Sequence, residues 1–68
     1  MRNNVTNKVK ELRTSNKLTQ AELAEKIGVT RLTIISMEKQ NYEPTVGLAL
    51  KIAKEFECTV EDIFEVGE

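Results

Sequence analysis

The stretch over residues 19–39, TQAELAEKIGVTRLTIISMEK, most constrains what this chain can fold into. Leu23, Ala24 and Ile27 recur at helical spacing, and Thr30, Ile34, Met37 and Glu38 do so again beyond Gly28. Gly28 follows the last apolar residue of the first set, where a backbone turning through positive φ favours a residue without Cβ. Thr30 then offers a hydroxyl to the free amides of the next helix. The segment reads as two short amphipathic helices joined by a tight turn. Neither buries its apolar face alone, so other elements must pack behind them.

The flanking sequence supplies those elements. Val5, Val9 and Leu12 predict a first helix over residues 5–15, with most of the basic residues on its polar side. Thr19 and Glu22 have capping-box spacing at the start of the second helix. KQNYEPT reads as a loop in which Pro44 keeps Glu43 extended and Thr45 caps the next helix. Residues 46–57 are apolar around much of a helix, at Val46, Leu48, Ala49, Leu50, Ile52, Ala53 and Phe56, which predicts the central helix. Gly47 weakens its start slightly. Thr59 and Asp62 mark a capped fifth helix over residues 60–64. Residues 1–5 and 64–66 are short enough to fray, or to pair as two small strands closing the fold. The expected architecture is a compact all-α, five-helix domain over residues 1–68, with the two-helix unit at about 19–39.

Composition bounds function by exclusion. A chain of 68 residues has room for one domain near the lower limit for a fold held by an apolar core alone. The longest apolar run is too short to cross a bilayer and MRNNVTNK lacks a signal peptide's apolar stretch, so a cytoplasmic protein is expected. One cysteine, Cys58, makes no internal disulfide, and without histidine no zinc site of ordinary spacing assembles, so no cofactor is expected. The absence of a paired nucleophile or a glycine-rich phosphate loop argues against an enzyme.

A formal net charge of −1 gives no overall attraction for phosphate, but the charge is unevenly distributed. Residues 1–17 hold five cations against Glu11, a net +4; residues 18–39 balance, and residues 40–68 carry a net −5. A basic end beside the second helix of the pair can face DNA while the acidic end points away. That helix advances about 100° per residue, so with Ile34 inward the outward face is Leu32, Ile35, Ser36 and Lys39. Arg31 lies at the flank in the first turn, from which a guanidinium can reach guanine O6 and N7. Its alternative role is a phosphate contact. Ser36 bonds either base type, while Leu32 and Ile35 suit thymine methyls or a protein partner. Lys39 suits a phosphate. Gln20, at the start of the preceding helix, is placed to add to a phosphate anchor or to brace Arg31.

The chain resembles the Cro/CI-type helix-turn-helix regulators, the xenobiotic response element-like (XRE) family. The resemblance rests on Leu12 and Arg13, on LTQAELAEKIGVT, on Arg31, Thr33, Ile34 and Glu38, on Tyr42 and Pro44, and on LALKIAKEF and VEDIF. It implies a lambda-repressor-like fold and a transcriptional regulator, a repressor, that binds a pseudo-palindromic operator on double-stranded DNA as a homodimer. It aligns Gln20, Arg31, Leu32 and Ser36 with positions that reach bases or adjacent phosphates, Lys39 with a backbone contact, and Thr33 with a hydroxyl residue near phosphate. Arg13 and Glu38 match a structural pair joining the first helix to the third. In relatives of this size the dimer commonly uses the C-terminal region, which makes Val60, Ile63, Phe64 and Val66 the interface candidates. Two departures stand out: Leu32 and Ile35 occupy positions commonly polar, and the Lys39, Gln40, Asn41 loop lacks the glycine often found there. The competing class is an antitoxin-like or adaptor module that docks protein on Leu32 and Ile35.

Overall fold

The computed structural model describes residues 4–67 in the order β1 (Asn4–Asn7), α1 (Val9–Ser15), α2 (Gln20–Ile27), α3 (Arg31–Glu38), α4 (Val46–Glu55), α5 (Val60–Ile63) and β2 (Phe64–Gly67). Threonine opens four of these helices. Thr19, Thr30, Thr45 and Thr59 have extended backbones, and each hydroxyl accepts the amide three residues on. At Thr19 and Thr59 the box is reciprocal: Glu22 and Asp62 accept the cap residue's own amide at 2.8 and 3.1 Å. Such caps stabilise a helix end by about 1 kcal/mol.

The helix ends share a second device. The amides of Leu18, Val29, Asn41 and Cys58 reach back to the carbonyls of Arg13, Ala24, Ser36 and Ala53, closing α1 to α4 with the same left-handed motif. The left-handed residues are Lys17, Gly28, Gln40 and Glu57, so one of the four is glycine. At Gly28, φ is +75° and a Cβ would meet nothing within 4 Å, so conformation rather than space calls for glycine there. The Glu57 turn ends α4 at Glu55, two residues before the expected end. A Cβ at Gly47 would meet only the Thr45 hydroxyl, at an ordinary 4.0 Å, and nothing in the structure requires a glycine there.

Strands stand at both ends of the described residues. β1 pairs antiparallel with β2, Val5 opposite Val66 and Asn7 opposite Phe64. The helix expected over residues 5–15 therefore begins at Val9, because Val5 is drawn into the ladder and the Asn7 side chain accepts the Val9 amide at 3.1 Å. Residues 1–3 of the expected N-terminal strand lie outside the described residues. Phe64, expected to end the fifth helix, is already extended at the start of β2.

The core gathers Val9, Leu23, Ala24, Ile27, Ile34, Met37, Leu48, Ile52, Ala53 and Ile63 from all five helices. Each large aliphatic side chain so buried contributes about 1.5–3 kcal/mol. Two expectations change. Thr30 is exposed because its hydroxyl must reach the helix end, so it does not share Ile34's inward direction. α4 is not apolar all round the core: Leu48, Ala49, Ile52 and Ala53 are buried, while Val46 and Leu50, one turn apart, are 76% and 56% exposed. Among the described residues no helix is long and apolar enough to cross a membrane.

The capping boxes make stability depend on pH. The amides of Thr19 and Thr59 donate to Glu22 and Asp62 and hold both carboxyls below their ordinary values. A lower folded value means that this stabilisation is complete above the ordinary carboxylate range and is lost as pH falls through the folded values. Thermal melts from about pH 7 to about pH 3 should therefore decline less steeply for the Glu22→Gln, Asp62→Asn double variant than for the parent. Parallel declines would assign the acid sensitivity to other carboxyls.

Candidate nucleic-acid interface

α3 is short, and its orientation depends on what ties it down. At its C-terminal end, Glu38 accepts the Arg13 Nε–H of α1, and its other oxygen takes Arg13 Nη2–H at 3.1 Å. The same oxygen takes an N–H from the Gln20 amide of α2 at 3.1 Å, and Arg13 Nη1 donates to the Leu18 carbonyl at 2.8 Å. Both charged side chains are nearly buried. The hydrogen bond to Glu38 raises the Arg13 pKa from its already high value, which keeps the guanidinium charged. One carboxylate thus joins α1, α2 and α3. Gln20 braces Glu38 rather than Arg31, because the polar partner within its reach is that carboxylate.

A second tie runs from the end of α3 to the sheet. Gln40, at φ +64°, accepts the Asn7 amide at 2.9 Å and donates to the Asn7 carbonyl at 3.2 Å. The buried Asn7 side chain donates to the Met37 carbonyl at 2.9 Å. The next amide, Lys8, donates to Ile63 O at 2.9 Å. The sequence gives no sign of Asn7, and marks Gln40 only as part of the loop that lacks a glycine. The available signal was the missing glycine at Gln40, where a helix end turns left-handed.

With its C-terminal end held, α3 presents its first turn outward. Leu32 is 73% exposed, and Arg31 is exposed beside a shallow groove lined by Ala21, Glu22, Ala24, Glu25 and Val29. Lys39 is exposed at the far end. The rest of the expected outward face is narrower: Ile35 and Ser36 are half-buried, because the packing stripe of a short helix held by α1 and α2 spreads onto its flank. Thr33 is half-buried as well, its hydroxyl 3.2 Å from that of Thr30.

This is two helices joined by a three-residue turn at Gly28, Val29 and Thr30, with the first turn of the second helix free. A helix-turn-helix family model matches residues 9–63. The chain belongs to the XRE-type helix-turn-helix family. An HTH-type transcriptional regulator of Methanocaldococcus jannaschii is 53% identical over 58 residues, 85% of this chain and 88% of its own length. The regulator YgzD of Bacillus subtilis is 48% identical over 62 residues, 91% of this chain and 94% of its own. A regulator of Archaeoglobus fulgidus is 47% identical over 57 residues, 84% and 80% of the two chains. The family match stops short of both strands.

Within this helix-turn-helix fold the remaining expected residues separate. Ile63 is 2% exposed and belongs to the core, so it is unavailable as an interface residue. Val60 and Phe64 pack partly against the core, and Val66 is 60% exposed. Arg13 is consumed by its ion pair, which leaves Lys8, Lys10 and Lys17 as the exposed cations of the described basic segment. Burial pushes the Cys58 thiol up, away from reactive thiolate.

Removing Glu38 leaves a buried guanidinium without its counter-charge, so Glu38→Ala should cost about 3 kcal/mol in urea unfolding. The Arg13→Met, Glu38→Leu double variant should recover most of that loss. Glu38→Ala at parental stability would show that the pair does not hold the helices together.

Proposed function

We propose that this chain is a sequence-specific DNA-binding transcriptional regulator, a repressor that reads a pseudo-palindromic operator as a homodimer with α3 in the major groove. The observation that carries this reading is the contrast along α3: a C-terminal end tied to three other elements, and a first turn whose Arg31 and Leu32 stand free. In helix-turn-helix docking that first turn meets base edges. Arg31 suits a guanine through two N–H donors, and Leu32 a thymine methyl. Half-buried Ile35 and Ser36 are left edge contacts beside them. Gln20 and Thr33 lie where the helix ends meet phosphate, and exposed Lys39 reaches the backbone. That the relatives are HTH-type transcriptional regulators supports the same role here. On this reading residues 1–68 act as one binding unit in the cytoplasm, without enzymatic chemistry.

With net charge near zero, phosphate attraction falls to the exposed lysines against a background of at least as many carboxylates, so affinity should drop with added salt along a modest slope. Sites selected from random double-stranded DNA should enrich a palindrome. Arg31→Ala should then lose about tenfold in affinity and relax preference at one base pair per half-site. An equal loss on every sequence would make Arg31 a phosphate contact. The exposed Leu32 also suits a protein-docking reading; binding to a protein partner that is indifferent to salt, with no enriched DNA, would favour that alternative.

For the homodimer, exposed apolar residues away from α3 supply the contact: Val66 on β2, with Val60 and Phe64 at its edge, and Val46 and Leu50 on α4. Their apolar area in water favours burial against a second copy. Sedimentation of Val66→Asp and Leu50→Asp variants should show folded monomers. Two folded dimers would move the interface elsewhere.

A further inference from the structure

Three helices besides α2 end on a left-handed residue that is not glycine: Lys17, Gln40 and Glu57. A side chain in that conformation is strained, and glycine relieves it. At Lys17 and Glu57 the side chains are exposed, with no hydrogen bond from either among the described residues. Gln40 differs. Its amide closes a two-bond ring with the Asn7 backbone at 2.9 and 3.2 Å, while the Asn7 side chain returns to Met37 O at 2.9 Å. Two amides thus interlock the last turn of the reading helix with the β1–α1 joint, and Lys8 carries that joint to Ile63.

We infer that Asn7 and Gln40 are positioning residues for DNA reading: their interlock sets how α3 presents Arg31 and Leu32, so it governs base discrimination rather than phosphate affinity. The inference rests on the DNA-reading function proposed above. A site read by directional bonds degrades when its supporting shell loosens by about 1 Å. Phosphate contacts, made by flexible lysines through charge, tolerate the same movement. The Glu38 pair and the interlock hold α3 on different sides, against α1 and α2 in one case and against the sheet in the other. With the interlock gone, α3 keeps one polar anchor and can pivot about it.

Gln40→Gly makes a clean test, because it removes the interlock while relieving backbone strain, so fold stability changes little. Asn7→Asp tests the other half: it keeps the acceptor for the Val9 amide and loses the donor to Met37 O. Glu57→Gly is the control, relieving a like strain at a residue that takes no part in the interlock. The probes are the duplex that wild-type protein enriches most from random DNA and an unrelated duplex of equal length. For Gln40→Gly and Asn7→Asp the affinity ratio between the two duplexes should fall about tenfold; for Gln40→Gly melting temperature, salt slope and affinity for the unrelated duplex should stay near wild type, whereas Asn7→Asp, which sets a buried carboxylate against the Met37 carbonyl, should also melt lower. Glu57→Gly should leave the ratio unchanged. A wild-type ratio in folded Gln40→Gly overturns the inference and leaves the DNA-binding function standing. Equal losses on both duplexes with lost helicity overturn it too, making the interlock purely structural. If wild-type protein enriches no sequence, the DNA-reading function fails and the inference falls with it.

Discussion

The geometry of this molecule depends on one carboxylate. Glu38 closes α3, and through Arg13 and Gln20 it binds that helix to α1 and α2 at once. The aliphatic core beneath supplies most of the burial, but contacts among Leu23, Ile34, Met37 and Ile52 have little direction and tolerate repacking. A guanidinium fork does not: its N–H vectors meet a carboxylate in few arrangements. The pair therefore acts as a register mark within a core that would otherwise allow α3 to slide or tilt. It also explains why the chain places one of its ten basic residues out of water. A buried pair adds little net stability, yet each partner is costly once the other is gone.

The sheet completes the frame through a second set of hydrogen bonds to the same helix end. Its four-residue strands are too short to be stable alone. They hold because the Lys8 amide meets Ile63 O, and because Asn7 and Gln40 interlock strand and helix end. The Lys8 amide and the interlock thus link α5, β1 and the C-terminal end of α3 in one chain of hydrogen bonds. The other end of α3 needs only the Thr30 hydroxyl, and it is that end whose side chains remain in water.

Much of this was legible in the sequence. Thr19, Thr30, Thr45 and Thr59 announce four helix starts because capping is a local exchange between a hydroxyl and an amide three residues away. Gly28 announces the turn through a conformational preference equally local. The Arg13 and Glu38 pairing came from family resemblance, since nothing local joins residues so far apart in the chain. Where the local pattern misleads, distant partners decide. Val5 fits a helical repeat with Val9 and Leu12, but Val66 recruits it into a ladder. Ile63 fits an exposed C-terminal contact, but α5 turns it into the core. Leu50 fits a fully apolar helix, but α4 covers the core with one face only. Ile35 projects outward on an ideal helical wheel, yet the neighbouring helices shade that flank.

The sequence by itself determined which segments are helical, where four of them begin, and that the two-helix unit turns at Gly28. These outcomes depend on interactions spanning three or four residues, which the order of side chains specifies directly. Tertiary structure alone decided the terminal sheet, the sequestration of Arg13 charge, the narrow free face of α3 and the Asn7–Gln40 interlock. Each requires groups tens of residues apart to meet at hydrogen-bonding distance. A linear pattern carries no record of that meeting until the core has closed.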